Sequence, residues 1–226
     1  MDFPHIVLIL INVLFEMNDK LTFNIKRKRP EEAFKHVWDY YDIENIKIYA
    51  QSKSMMRTQE RITRRALELL EIKSSKLRIL DAGCGPGFAS TYLKALGFEV
   101  VALDIILEFL KFYDLQDLNP IRADMCFLPF RPQRFDAIVS ISALQWIFRE
   151  INDQRTESLV KALSKSFFKV LRPNSKAIFQ FYPKNNEIME RIGRIFIEHT
   201  QFEGNFIIDN PNNPKRRKIF LLLNKK

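Results

Sequence analysis

The sequence predicts one α/β domain, with strands and helices alternating around a mostly parallel sheet. Three observations predict it. Apolar runs of strand length recur at residues 77–81, 99–103, 121–123, 135–141 and 176–181. Segments with apolar residues at spacings of three and four separate most of them, the mark of helices packed on a sheet. Two further apolar runs, 206–209 and 219–223, follow the last helical stretch and read as a closing antiparallel pair.

The chain has 226 residues, enough for a full core, and 46% of them are hydrophobic. No internal repeat or low-complexity linker interrupts it. There are two cysteines, Cys84 and Cys126, so neither a disulfide framework nor a zinc site is expected, and a reducing cytoplasm fits. The three histidines are scattered, and no metal site is expected. A net charge of +9 favours a polyanionic partner. The charge clusters at residues 26–29, at Arg61, Arg64 and Arg65, and at residues 215–218 and 225–226. Each block alone is a solvated face; three of them in a phenylalanine-rich chain point to RNA.

In chain order, residues 3–15 form an apolar run shorter than the ~20 residues a membrane span requires. It has no basic region before it and no small-residue cleavage site after it, so it is read neither as a signal peptide nor as a membrane segment. Glu31 to Tyr41, opened by Pro30, reads as a short helix. Met55 to Leu70 is an amphipathic helix leading into the first strand, Leu77 to Asp81. Gly83, Gly85 and Gly87 then form a glycine turn, and Phe88 to Leu96 is helical. Glu99 to Leu103 is the second strand, ending in Asp104. A helix is expected over Ile105 to Leu118. Ile121 to Ala123 is the third strand, leading into Asp124. Phe135 to Ile141 is the fourth strand. Glu157 to Leu171 is a helix stopped by Arg172-Pro173. Lys176 to Phe181 is the fifth strand, and Glu187 to His199 the last helix.

A glycine turn after a buried strand allows close backbone approach to a ligand. Three ligand classes use such a turn. A phosphate loop needs a lysine and a hydroxyl after its last glycine, and here Phe88 and Ala89 follow. A nicotinamide site needs G-x-G-x-x-G, and here the third glycine comes one residue early. The acidic strand end and the spacing of Gly83, Gly85 and Gly87 instead resemble motif I of the class I S-adenosylmethionine (SAM) methyltransferases. That resemblance implies cofactor contacts from Asp81, Gly83, Cys84, Gly85 and Gly87. Asp104 lies 23 residues after Asp81, close to the ~20-residue offset at which an acid reaches a ribose, with Ile105 beside it. The resemblance also implies that Asp124 and Met125 stand where SAM methyltransferases read the adenine. Each aspartate alone would serve as a cap, but three acids ending three successive strands are not easily explained that way.

The end of the fourth strand, Ser140-Ile-Ser-Ala-Leu-Gln-Trp146, is where class I methyltransferases place acceptor-binding residues. Ser140, Gln145 and Trp146 are the candidates. Trp146 and Gln145 could stack on and hydrogen-bond a flat base, or serve as core packing and a helix cap. An Asn-Pro-Pro-Tyr type sequence, used for amino methylation of adenine or glutamine, does not occur, and neither cysteine sits where a pyrimidine-attacking thiolate is needed. What remains is an acceptor already nucleophilic: a guanine N7, an amine or a deprotonated oxygen.

Several strings together resemble the small-subunit ribosomal RNA guanine-N7 methyltransferases and their archaeal relatives. They are Tyr40-Tyr-Asp42, the Tyr49-to-Gln59 segment, Arg65 to Leu70, DAGCGPG, Leu128-Pro-Phe130, SISALQW, Gln180-Phe-Tyr-Pro183 and Asp209-Asn-Pro-Asn212. The resemblance implies a Rossmann-like class I domain, a seven-stranded mostly parallel sheet with one antiparallel strand, order 3-2-1-4-5-7-6. It implies SAM as cofactor, small-subunit rRNA as substrate and a small zinc-binding activator protein as partner in a heterodimer. The long basic tail of the eukaryotic members is missing, which suggests an archaeal-type member and a cytoplasmic location. The domain is expected over residues 17–226. Residues 1–16 are foreign to the family: either an extra element packed on the body, or a run that precedes a true start at Met17, the favoured reading. Two rivals remain, a ribosome-assembly factor whose RNA binding outweighs catalysis and a small-molecule methyltransferase.

Overall fold

The structure, a computed structural model, describes residues 6–10 (backbone alone), 21–23, 29–34, 36–74, 76–114, 117–148, 150–151 and 153–226. In chain order its elements are β1 (Ile6–Leu10), α1 (Pro30–Ala33), α2 (Val37–Tyr40), α3 (Ile43–Ala50), α4 (Lys53–Leu70), β2 (Arg78–Ala82), α5 (Phe88–Ala95), β3 (Glu99–Asp104), α6 (Leu107–Leu110), β4 (Ile121–Arg122), β5 (Phe135–Ile141), α7 (Gln154–Val170), β6 (Leu171–Phe181), α8 (Asn186–Glu198), β7 (Phe202–Asp209) and β8 (Lys218–Lys225).

The sheet order is β1-β7-β8-β6-β5-β2-β3-β4. Numbered from β2, the last seven strands read 3-2-1-4-5-7-6 from the β4 edge, with β8 antiparallel to both neighbours. An eighth strand is added at the other edge, where Ile6 to Leu10 pair with Asp209 to Asn205. Of the N-terminal segment, read either as an extra packed element or, the favoured reading, as a run before a start at Met17, residues 6–10 form this added strand, and residues 1–5 and 11–16 lie outside the described residues.

Successive residues of a strand face opposite sides, and here both sides are covered. Leu80, Ile138 and Phe179 face a core shared with Phe167 of α7 and Phe196 of α8. Ile79, Val139 and Ile178 face a second core shared with Ile62 and Ala66 of α4 and Leu93 of α5. The helices sit where their stripes demand: α4 buries Gln59, Ile62, Thr63, Ala66 and Leu70, a spacing of three and four. Ser52 caps α4 and Asp153 caps α7 by accepting backbone N–H bonds.

Of the helix expected over Ile105 to Leu118, the described residues form one turn, Leu107–Leu110; residues 115–116 lie outside the described residues. Its aromatics are used in separate places rather than along one stripe. Phe109 is buried against Tyr41 and Tyr49, Tyr113 is buried beneath the glycine turn, and Phe112 stays 42% exposed. The fifth strand begins earlier than expected, at Leu171, because Phe135 pairs with Leu171 before the ladder resumes at Ala137 and Lys176.

Candidate active site

The carboxyl ends of β2, β3 and β5 open into a cavity of about 640 Å³, roofed by residues of α1 to α4. The glycine turn forms its floor and is held from β3: the N–H groups of Gly83 and Cys84 both donate to the carbonyl of Leu103, at 2.9 and 3.0 Å. Its three glycines have different jobs. A Cβ on Gly83 would lie 2.5 Å from the Cβ of Ala143, and one on Gly87 would lie 2.8 Å from the Tyr113 ring, so both positions are forced by packing. Gly85, at φ +54°, has nothing within 4 Å of where its Cβ would be. Its missing side chain leaves open space in the cavity wall, the place where a ligand can touch backbone.

The strand-end acids gather around this turn. Asp81 is 1% exposed. Its Oδ2 accepts from Ser90 Oγ at 2.5 Å, and Ser90 accepts from the Tyr113 hydroxyl at 3.0 Å. Its Oδ1 is buried without a partner. Burial pushes this carboxyl up to about 7, with Asp104 adding repulsion. Asp104 staples the loop, Oδ2 accepting from Gly85 N–H and Oδ1 from Ile106 N–H, each at 2.8 Å. Its titration is also raised, by burial, against those hydrogen bonds. Asp124 accepts from Cys126 N–H at 2.8 Å and so caps a short 3₁₀ turn, 125–127. Each acid thus has a structural bond and still lines the cavity, together with Cys84, Ile105 and Met125. Burial pushes the thiols of Cys84 and Cys126 well up, leaving neither as a thiolate at neutral pH.

The opposite side of the cavity is built by the tips of β5 and β6 and by the leading helices. Gln145 and Trp146 line it; Ser140 does not. Ser140 is fully buried inside β5, one residue before the strand's end, and is not among the residues that line the cavity. Ser142, just past the tip, lines it instead, in the left-handed region at φ +59°. Gln180 of β6 holds Ser142 there: the Ser142 N–H donates to the Gln180 carbonyl at 2.8 Å and its Oγ to Gln180 Oε1 at 2.9 Å. Trp146 is stacked on Tyr40, with centroids 5.8 Å apart at 25°, and tilted against Tyr41 at 5.6 Å. Tyr49 closes the wall, its phenol accepting from Gln59 Nε2 at 3.2 Å and pushed up to about 12 by burial.

Sequence reasoning assigned no role to Ser142, Gln59, Tyr182 or Lys184, all of which line the cavity. Gln59 carried a signal, a polar residue at a buried position of an otherwise apolar helix stripe. Tyr182 and Lys184 follow the tip of the fifth strand, a position that topology alone recommends. Among the described residues no helix is long and apolar enough to cross a membrane.

A sheet of this order, with a glycine turn and acidic strand tips around one cavity, defines a class I methyltransferase, an enzyme that takes its methyl group from SAM. A methyltransferase-domain family model matches residues 80–179. The chain is 34% identical to the 18S rRNA (guanine-N7)-methyltransferase of Bos taurus, over 81% of this chain and 67% of that one. It is 33% identical to the corresponding Saccharomyces cerevisiae enzyme, over 82% of this chain and 68% of that one. The chain belongs to the 18S rRNA (guanine-N7)-methyltransferase family. Among solved structures, a SAM-dependent methyltransferase of Aquifex aeolicus shares the fold, with a TM-score of 0.59 at 15% identity, covering 81% of this chain and 98% of that chain.

Proposed function

We propose that this chain methylates N7 of a guanine in small-subunit ribosomal RNA during ribosome biogenesis. The observation that carries it is one cavity joining the open seat at Gly85 to the aromatic wall of Tyr41 and Trp146. Bound SAM supplies a methyl group on a sulfonium, already a good leaving centre. The residues present fit it. The free Oδ1 of Asp81 is an acceptor for the cofactor's ammonium group, and Gly85 gives its backbone room. Lone pairs of Asp104 not used by the loop suit ribose hydroxyls, and Asp124 with Met125 suits the adenine. Guanine N7 has a lone pair and no proton to remove, so the remaining task is to hold the base in line, which a stacking wall does. No thiolate is needed, in keeping with two buried thiols.

The activator partner belongs to this reading. β4 is a two-residue strand at the sheet edge, and Phe112 and Phe127, before and after it in the chain, are 42% and 63% exposed. A strand edge unpaired among the described residues, together with exposed aromatics close by in the chain, suits a partner that covers them, such as the small zinc-binding activator subunit. Free thiols support a reducing, cytoplasmic location. The test is methyl transfer from labelled SAM to small-subunit RNA by the chain with its activator, followed by mapping of N7-methylguanosine. Label in any other base or position overturns the proposal. Ribosome assembly sustained by a Gly85→Val chain would mean that RNA binding, not methylation, is the essential role.

A further inference from the structure

Gln145 is 7% exposed, and its amide orientation is settled by its surroundings. Its Nε2 donates to the carbonyl of Ser142 at 2.7 Å. A backbone carbonyl only accepts, so the NH₂ end must face it and Oε1 must be the other end. Ser142 cannot drift, because Gln180, fully buried in β6, holds both its N–H and its hydroxyl. The result is an acceptor fixed in place, buried, and without a partner in the protein. An orphaned buried acceptor costs free energy unless something else supplies the donor.

The position of this acceptor narrows what the donor is. Gln145 lines the cavity on the β5 side, next to Trp146. The sheet order puts β5 on one side of β2 and puts β3 and β4, with Asp104 and Asp124, on the other. The acceptor therefore sits with the aromatic wall rather than with the ribose and adenine contacts. A flat base lying along that wall would turn an edge toward Gln145. Guanine carries two adjacent donors on one edge, the N1–H and the 2-amino group; adenine carries one donor there, its 6-amino group, beside an acceptor at N1. We propose that Gln145 is the residue that reads guanine, its Oε1 accepting from the N1–H or 2-amino group of the target base and so orienting N7 toward the methyl group. This rests on the guanine-N7 reading above.

The test uses the full chain with its activator and three short small-subunit RNAs that carry guanosine, inosine or 2-aminopurine riboside at the methylated position. Inosine lacks the 2-amino group; 2-aminopurine lacks the N1–H. Gln145→Leu should lower kcat/KM on the guanosine RNA by roughly ten- to a hundredfold, the worth of one hydrogen bond to a buried acceptor. On the analogue that lacks the donor, wild type and variant should become equal, while on the other analogue the gap should persist. SAM affinity, measured by calorimetry without RNA, should not change, which also shows that the variant is folded. For the wild type alone, equilibrium binding of the same RNAs with S-adenosylhomocysteine should weaken on that same analogue. An equal loss on all three RNAs, no loss on guanosine, or weaker SAM binding in the variant overturns the assignment. A wild-type chain that makes no N7-methylguanosine in any RNA overturns the proposed function and this assignment with it; the former results strike Gln145 alone.

Discussion

Replacing Asp81 with asparagine should stabilise the cofactor-free protein and cripple cofactor binding at the same time. Asp81 is 1% exposed, has one bonded and one unbonded oxygen, and faces a second buried acid, Asp104. Its carboxyl titrates near 7 instead of the ordinary 3.8. At ~1.36 kcal/mol per pH unit, the ionised form costs the free protein about 4 kcal/mol above pH 7. The sign follows from the direction of the shift. A carboxyl raised in the folded state leaves stability highest below its unfolded value, and stability falls as pH rises from about 4 to about 7. An asparagine oxygen still accepts from Ser90, but its NH₂ lacks a partner, which costs about 1–3 kcal/mol. The net gain at pH 8 is about 1–3 kcal/mol, or about 2–10 °C in melting temperature for a domain of this size. At pH 4.5 the gain should vanish or reverse, because there the wild-type carboxyl is already protonated. SAM affinity at pH 8 should fall at least about tenfold, since an amide cannot neutralise the ammonium group. Scanning calorimetry at the two pH values and titration calorimetry with SAM read both effects. A variant that melts lower than wild type at pH 8, or shifts equally at both pH values, refutes the buried-charge argument. Undiminished SAM affinity refutes the role of Oδ1.

Gly85→Ala and Gly83→Ala should part ways. At Gly85 the Cβ meets open space, so the fold keeps all but about 1–2 kcal/mol, lost to the left-handed backbone, while SAM binding falls sharply. At Gly83 the Cβ strikes Ala143, and thermal melting should show a larger loss of stability. Gly85→Val should abolish SAM binding with the fold retained; full affinity by calorimetry would remove the turn from the cofactor site. A chain started at Met17 loses β1, which lies at the edge beyond β7, β8, β6 and β5 from the glycine turn. Its SAM affinity should match the full chain, while light scattering should show more association through the uncovered β7 edge. Ile121→Lys on β4 should prevent co-purification with the activator and leave SAM binding intact; a soluble, fully active chain with no partner would contradict the heterodimer.

Local rules were enough for the order of the elements. Runs that alternate or repeat at three and four residues act over a few positions, so the strand, glycine turn and helix at Leu77 to Leu96 were legible from the residues alone. The same holds for the acids at the strand ends, since the residue that follows an apolar run lies at the strand's tip. What each side chain does there depended on partners far along the chain. Gly83 is forced by Ala143 and Gly87 by Tyr113, and only their absence around Gly85 leaves a seat for a ligand. Ser140 was drawn to the site by its neighbours in sequence, but β5 buries it and the pairing with β6 presents Ser142. Phe109 and Tyr113 broke the expected helix because separate pockets, made by α3 and by the glycine turn, claimed them. The free acceptor on Gln145 exists only because β6 places Gln180 where it can hold Ser142. Periodicity carries short-range information, whereas packing, register and an unpartnered polar atom are decided by which distant segments the sheet brings together.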